Sequence, residues 1–119
     1  MYGQVNSDTA TNYSDSWMRG DGTTAVAFRD TSTANFWFSA TGYATSAYPM
    51  HVSHFMDYAN TTTYKTILIR DNNAGGATGA GVALWRSTSA INSIKIYPSA
   101  GNFNSGSSFK LYGIEAGNL

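Results

Sequence analysis

Ile94-Lys95-Ile96-Tyr97 and, beyond residues 98–108, Phe109-Lys110-Leu111-Tyr112-Gly113-Ile114 alternate side-chain character with a period of two. In a β-strand successive side chains point to opposite faces. Ile94 and Ile96 therefore share one face, with Lys95 and Tyr97 on the other, and Phe109, Leu111 and Gly113 oppose Lys110, Tyr112 and Ile114. The link Gly101-Asn102-Phe103-Asn104-Ser105-Gly106 is turn chemistry. The spacing predicts two strands joined by this loop, with Ile94, Ile96, Phe109 and Leu111 in the core.

Upstream, the same period recurs. A short strand is expected around residues 2–5, followed by a loop in which Asn6, Asp8 and Asn12 form Asx turns. Residues 13–19 place Tyr13, Asp15, Trp17 and Arg19 on one face, and Gly20-Asp21-Gly22 breaks the strand. Residues 24–29 and the aromatic run Ala34-Asn35-Phe36-Trp37-Phe38-Ser39 are further candidates. Residues 48–58 read as the longest regular strand, with Met50, Val52, His54, Met56 and Tyr58 opposite His51, Ser53, Phe55 and Asp57. In residues 64–70, Lys65, Ile67 and Ile69 oppose Tyr64, Thr66, Leu68 and Arg70. Residues 71–79 are expected to be a Gly- and Asn-rich loop leading to a strand at 82–86. About eight short strands at roughly ten-residue spacing predict an all-β fold, an antiparallel β-sandwich of jelly-roll type.

Composition agrees. With 14 Ser, 14 Thr and 10 Asn, about a third of the 119 residues favour turns and half-exposed sheet over helix. The length suits one domain, residues 1–119. Seven basic and seven acidic residues balance, which gives no electrostatic argument for nucleic acid or an anionic membrane as partner. The absence of Cys removes disulfides and thiolate metal sites. No apolar run approaches the length of a membrane helix, and Met1-Tyr2-Gly3-Gln4 has no signal-peptide character. A near-neutral, aromatic-rich chain is poor for colloidal solubility, which favours life in an assembly.

No site with chemistry stands out. His51 and His54, three apart in a strand, point to opposite faces and so do not share a metal. No Gly-x-Ser-x-Gly elbow backs any of the serines. Glycoside hydrolysis needs two carboxylates about 5–10 Å apart; Asp15 with Asp57 is one conceivable pair, but nothing selects it. Asn6, Asp8 and Asn12 offer oxygen ligands for calcium without the spacing of a known loop. The Gly-rich segment after Asp71 lacks the Gly-Lys-Ser/Thr of a phosphate loop. No catalytic residue, metal or cofactor is therefore expected. Trp17, Trp37, Tyr48, Tyr58 and Trp85 remain as candidates for an interface or for stacking on a sugar.

Trp85-Arg86-Ser87-Thr88-Ser89-Ala90-Ile91-Asn92-Ser93-Ile94, the Gly-Asn-Phe loop and Gly106-Ser107-Ser108-Phe109-Lys110-Leu111-Tyr112-Gly113-Ile114 together resemble the end of small tailed-phage virion structural proteins, of decoration or tail-fibre type. Val5-Asn6-Ser7-Asp8-Thr9-Ala10-Thr11-Asn12-Tyr13 and Met56-Asp57-Tyr58-Ala59-Asn60 fit the same group in the same order. The resemblance implies a non-enzymatic virion protein made in the host cytoplasm, acting through contacts with other virion proteins as capsid decoration or fibre component. A carbohydrate- or receptor-binding module of a tail fibre, holding a host glycan, is the alternative. In the group it resembles, the Asn-x-Asp segment follows an N-terminal region that supplies one or more strands. Here only residues 1–5 precede Asn6, so the resemblance implies either a sandwich lacking an N-terminal strand, if Met1 is the true start, or a truncated sequence whose missing strands lie upstream in the same gene product. In the first case the open edge would be covered in a homo-oligomer, with a trimer as the first expectation.

Overall fold

The computed structural model describes residues 1–41 and 49–114. Among them run eight strands: β1 (Tyr2–Val5), β2 (Tyr13–Gly20), β3 (Ala25–Thr33), β4 (Phe36–Trp37), β5 (Met50–Phe55), β6 (Lys65–Asn73), β7 (Ala77–Trp85) and β8 (Ile94–Tyr97). All pairings are antiparallel. One sheet has the order β4-β1-β8, the other β3-β2-β7-β6-β5. The all-β, two-sheet fold expected from the sequence is thus present. The jelly-roll wrapping is not established by this order, because β5, β6 and β7 follow one another as a meander within one sheet.

The core lies between inward-facing residues of alternate positions. From β2 come Tyr13, Asp15 and Trp17, from β6 Lys65, Ile67, Ile69 and Asp71, from β7 Ala83 and Trp85, and from the smaller sheet Val5 and Phe36. Lys65, read as sharing a face with Ile67 and Ile69, is fully buried. Its Nζ donates to the Thr63 carbonyl at 2.7 Å and the Thr88 carbonyl at 3.3 Å, which partners the charge at the end of its apolar stem. Gly81 lies against the Trp17 ring, and a Cβ there would enter the indole.

Several expectations need correction. Residues 109–114 form no strand, and Phe109 and Leu111 are 58% and 84% exposed instead of buried. The Phe103 and Phe109 rings meet at 4.9 Å in a T-shape and Ser107 N–H donates to the Asn104 carbonyl, so the linking loop closes on itself rather than presenting 109–114 to β8. Ile94 and Ile96 are half-buried and do pack on the core. The loop expected over 71–79 is instead a tight hairpin, with β6 running to Asn73 and β7 starting at Ala77 around a Gly76 N–H to Asn73 C=O bond. Its glycines serve close approach: Gly79 pairs with Arg19 and Gly81 with Trp17. The aromatic run 34–39 supplies only the two-residue β4, and β3 continues past Arg29 to Thr33, with a register shift opposite Tyr13 and Ser14. The strand expected as the longest, over 48–58, is β5, only Met50–Phe55 and shorter than β3, β6 and β7. Within it the faces divide as expected, with the Met50–Val52–His54 face on the solvent side and His51, Ser53 and Phe55 pointing inward.

Candidate functional site

The face of the small sheet opposite Phe36 carries an aromatic row, of which Trp37 also packs against the core. Tyr2 of β1 is in register with Trp37 on one side and Tyr97 on the other. Its neighbours in the strand, Gly3 and Val5, face the core or lie at the Phe36 ring, so strand alternation turns Tyr2 outward. Ring centroids lie 4.9 Å apart for Tyr2–Trp37 and 5.9 Å for Tyr2–Tyr97, and Phe28 of β3 approaches Trp37 edge-on at 5.9 Å. All four rings are half-buried. Polar groups rim the row. Trp37 Nε1–H donates to Asp30 Oδ2 at 2.7 Å, and Lys95 Nζ stands 5.1 Å from the Tyr97 ring centre. Burial pushes the Tyr97 hydroxyl above its ordinary pKa, against the effect of its hydrogen bond to Asn35.

Behind Trp37 are two carboxylates. Asp15 and Asp30 are cross-strand partners on β2 and β3. Asp15 is buried; its Oδ2 accepts the Trp37 backbone N–H at 3.3 Å, while among the described residues Oδ1 has no hydrogen-bond partner. Burial raises its pKa to about 6, opposed by the Trp37 bond and helped by the nearby Asp30 charge. Asp57, weighed from the sequence as its companion, sits instead in the exposed turn after β5 at φ 47°. β7 and β6 lie between β2 and β5, a separation of about 14 Å at the usual strand spacing.

A second cluster centres on Asp71. Its Oδ2 accepts from Ser39 Oγ (3.0 Å), Ala40 N (2.7 Å) and Thr41 N (2.8 Å), and its Oδ1 lies 2.5 Å from His51 Nδ1. Burial alone would raise this carboxyl, but the His51 contact and the two backbone N–H bonds outweigh it and hold the pKa below the ordinary value. The serine bonds the aspartate and not the histidine, so the serine–histidine pair of a catalytic triad is not formed here. The cluster ties residues 39–41 and β5 to β6. On the outer side, Met50, Val52, Arg70, Asn72 and Thr78 line a shallow depression of about 250 Å³. His54 points to the opposite face from His51.

Asp8 forms a third knot. Its Oδ1 accepts the Ala10 N–H, and its Oδ2 accepts Asn12 Nδ2 at 2.9 Å and Trp85 Nε1 at 2.7 Å. The Asn6 amide oxygen accepts from the Asn92 and Ser93 N–H groups. These oxygens serve as turn acceptors, and no cluster of three His, Cys, Asp or Glu suited to a metal occurs among the described residues.

The five aromatic candidates thus separate. Trp17 and Trp85 are each 3% exposed and belong to the core. Trp37 belongs to the outer row, where Tyr2 and Tyr97 are the members that the sequence analysis missed; the register of β1 between β4 and β8 is what unites them. Tyr58 is exposed and isolated from that row, its carbonyl accepting the Ile91 N–H. Tyr48 lies outside the described residues.

Among the described residues, exposed large apolar side chains also gather elsewhere. On the outer face of the five-stranded sheet, Met18, Val82, Leu68, Val52 and Met50 are exposed on neighbouring strands. Residues 99–114 are exposed throughout and carry Phe103, Phe109, Leu111, Tyr112 and Ile114. Comparison of the chain with protein-family models, with curated proteins and with solved structures found no match.

Proposed function

We propose that this chain is a non-enzymatic structural protein of a phage virion, acting as capsid decoration or as a fibre component through contacts with other virion proteins and with copies of itself. The observation that carries the reading is the display of apolar side chains on two separate surfaces, the outer sheet face and residues 103–114, beside a well-packed core. The ordered sequence resemblance to small virion proteins supplies the setting, and kinship with jelly-roll virion folds belongs to the proposal. Asp8, Asp71 and His51 are engaged in turns and strand ties, which supports a role without turnover. A trimer remains the first expectation for self-assembly. Quantitative mass spectrometry of purified particles tests the reading. Hundreds of copies per particle mark decoration, a few tens or fewer mark a fibre or tail, and absence from particles contradicts it.

The row Tyr2–Trp37–Tyr97 favours a second reading, a glycan-binding module of a tail fibre, because half-exposed rings flanked by Asp30, Asn35 and Lys95 suit stacking on a sugar with polar contacts at its rim. Binding to a glycan array that weakens at least tenfold in Tyr97→Ala supports this reading, and a blank array removes it.

A further inference from the structure

We propose that residues 109–114 of one copy add as an antiparallel strand to the free edge of β8 in a second copy. The inference rests on the reading that this chain works by protein–protein contact, and it names the segment and the edge. Among the described residues four edges terminate the two sheets. β4 has only two residues. The β3 edge ends in Asp30, Thr31, Ser32 and Thr33, with Ser32 at φ 56° and a register shift nearby, features that blunt an edge. The inward side chains of β5 are His51, Ser53 and Phe55, a poor match for an apolar strand. β8 alone presents two inward isoleucines, Ile94 and Ile96. They remain half-exposed, although the β1 residues opposite them, Val5 and Gly3, are buried. The asymmetry places the missing cover on the open side of β8.

Residues 109–114 have the alternation that such cover needs. With Leu111 opposite Ile96 and Gly113 opposite Ile94, Tyr112 falls opposite Lys95 and Lys110 opposite Tyr97. Apolar side chains then join the core face, and each lysine faces a tyrosine on the outer face, as Lys95 already does within β8. The register that sets Phe109 opposite Ile96 puts Lys95 against Lys110 and is disfavoured. The donor comes from a second copy because residues 99–114 stand away from their own domain, with the loop closed locally by the Phe103–Phe109 contact. Each copy gives a strand and receives one. The exchange closes either between two copies or, as a head-to-tail contact, around a ring such as the trimer expected above.

The chain has no cysteine, so single-cysteine pairs report the contact without background. Lys95→Cys and Tyr112→Cys, both at exposed positions, are made in separate full-length chains, mixed and oxidised. The expected result is a mixed disulfide dimer joining the two variants, lost when the Tyr112→Cys chain also carries Leu111→Asp while its circular dichroism stays that of the parent. An oligomer that gives no mixed disulfide overturns the strand exchange and leaves the protein-contact reading standing. A monomer in which the Lys95→Cys, Tyr112→Cys double variant links within one chain overturns it in favour of closure in cis. A monomer with no link at all counts against both.

Discussion

Asp15 and Asp30 show how much a single register decides. The alternation of residues 13–19 puts Asp15 beside Tyr13 and Trp17, and it is buried there as that pattern implies. Its carboxylate neighbour was not legible, because pairing of β2 with β3 depends on where the Gly20–Thr24 turn closes and on the register shift opposite Tyr13. With the folded pKa raised to about 6, the folded state holds a proton that the unfolded chain releases near the ordinary carboxylate value of 3.8. The folded state is therefore favoured below that value and loses ground as pH rises towards 6. Asp15→Asn, which keeps an acceptor for the Trp37 N–H, should raise stability at pH 8 by about 1–3 kcal/mol and leave it unchanged at pH 3.5. Urea melts at the two pH values check this; an equal effect at both contradicts the charge-burial explanation. At Gly81, where any Cβ meets the Trp17 indole, Gly81→Ala should cost about 1–3 kcal/mol in the same assay.

At the scale of elements, period-two patterns marked which side chains share a face in β2, β5, β6 and β8, and in β8 also the inward face, but in β5 not which face turns inward. β5 shows the difference: its alternation leaves both faces open, and the Met50–Val52 side is the solvent-exposed one because Asp71 draws His51 inward and the Phe36 ring meets Phe55. Such ties join residues some twenty to thirty positions apart and leave no local signal. Asp71→Ala should strand Ser39 Oγ and the Ala40 and Thr41 N–H groups, at a cost of about 3–5 kcal/mol by chemical melting. Since the folded pKa of Asp71 lies below the ordinary value, its contribution is complete above about pH 4 and is lost as pH falls through that lowered value. The β6–β7 hairpin was hidden by glycine: Gly75, Gly76, Gly79 and Gly81 read as loop, yet Gly79 and Gly81 sit in a strand where the Met18 carbonyl crowds the first and the Trp17 indole leaves no space at the second.

Across the whole molecule, composition and strand spacing made the all-β, two-sheet fold legible, whereas the aromatic row depended on long-range pairing of β1 with β4 and β8. The pair of segments that first marks the chain as β divides in the structure into one strand, β8, and one exposed apolar segment. In the separated chain Leu111→Ala should change stability by less than about 0.5 kcal/mol, since the side chain is 84% exposed; the same substitution should weaken self-association. Sedimentation of the purified 119-residue protein across a hundredfold dilution measures that association directly. Assemblies at multiples of 12.8 kDa that dissociate in Leu111→Asp are the expected result. A single 12.8 kDa species at every concentration, with an unchanged thermal melt, would contradict a chain built to work through contact with its neighbours.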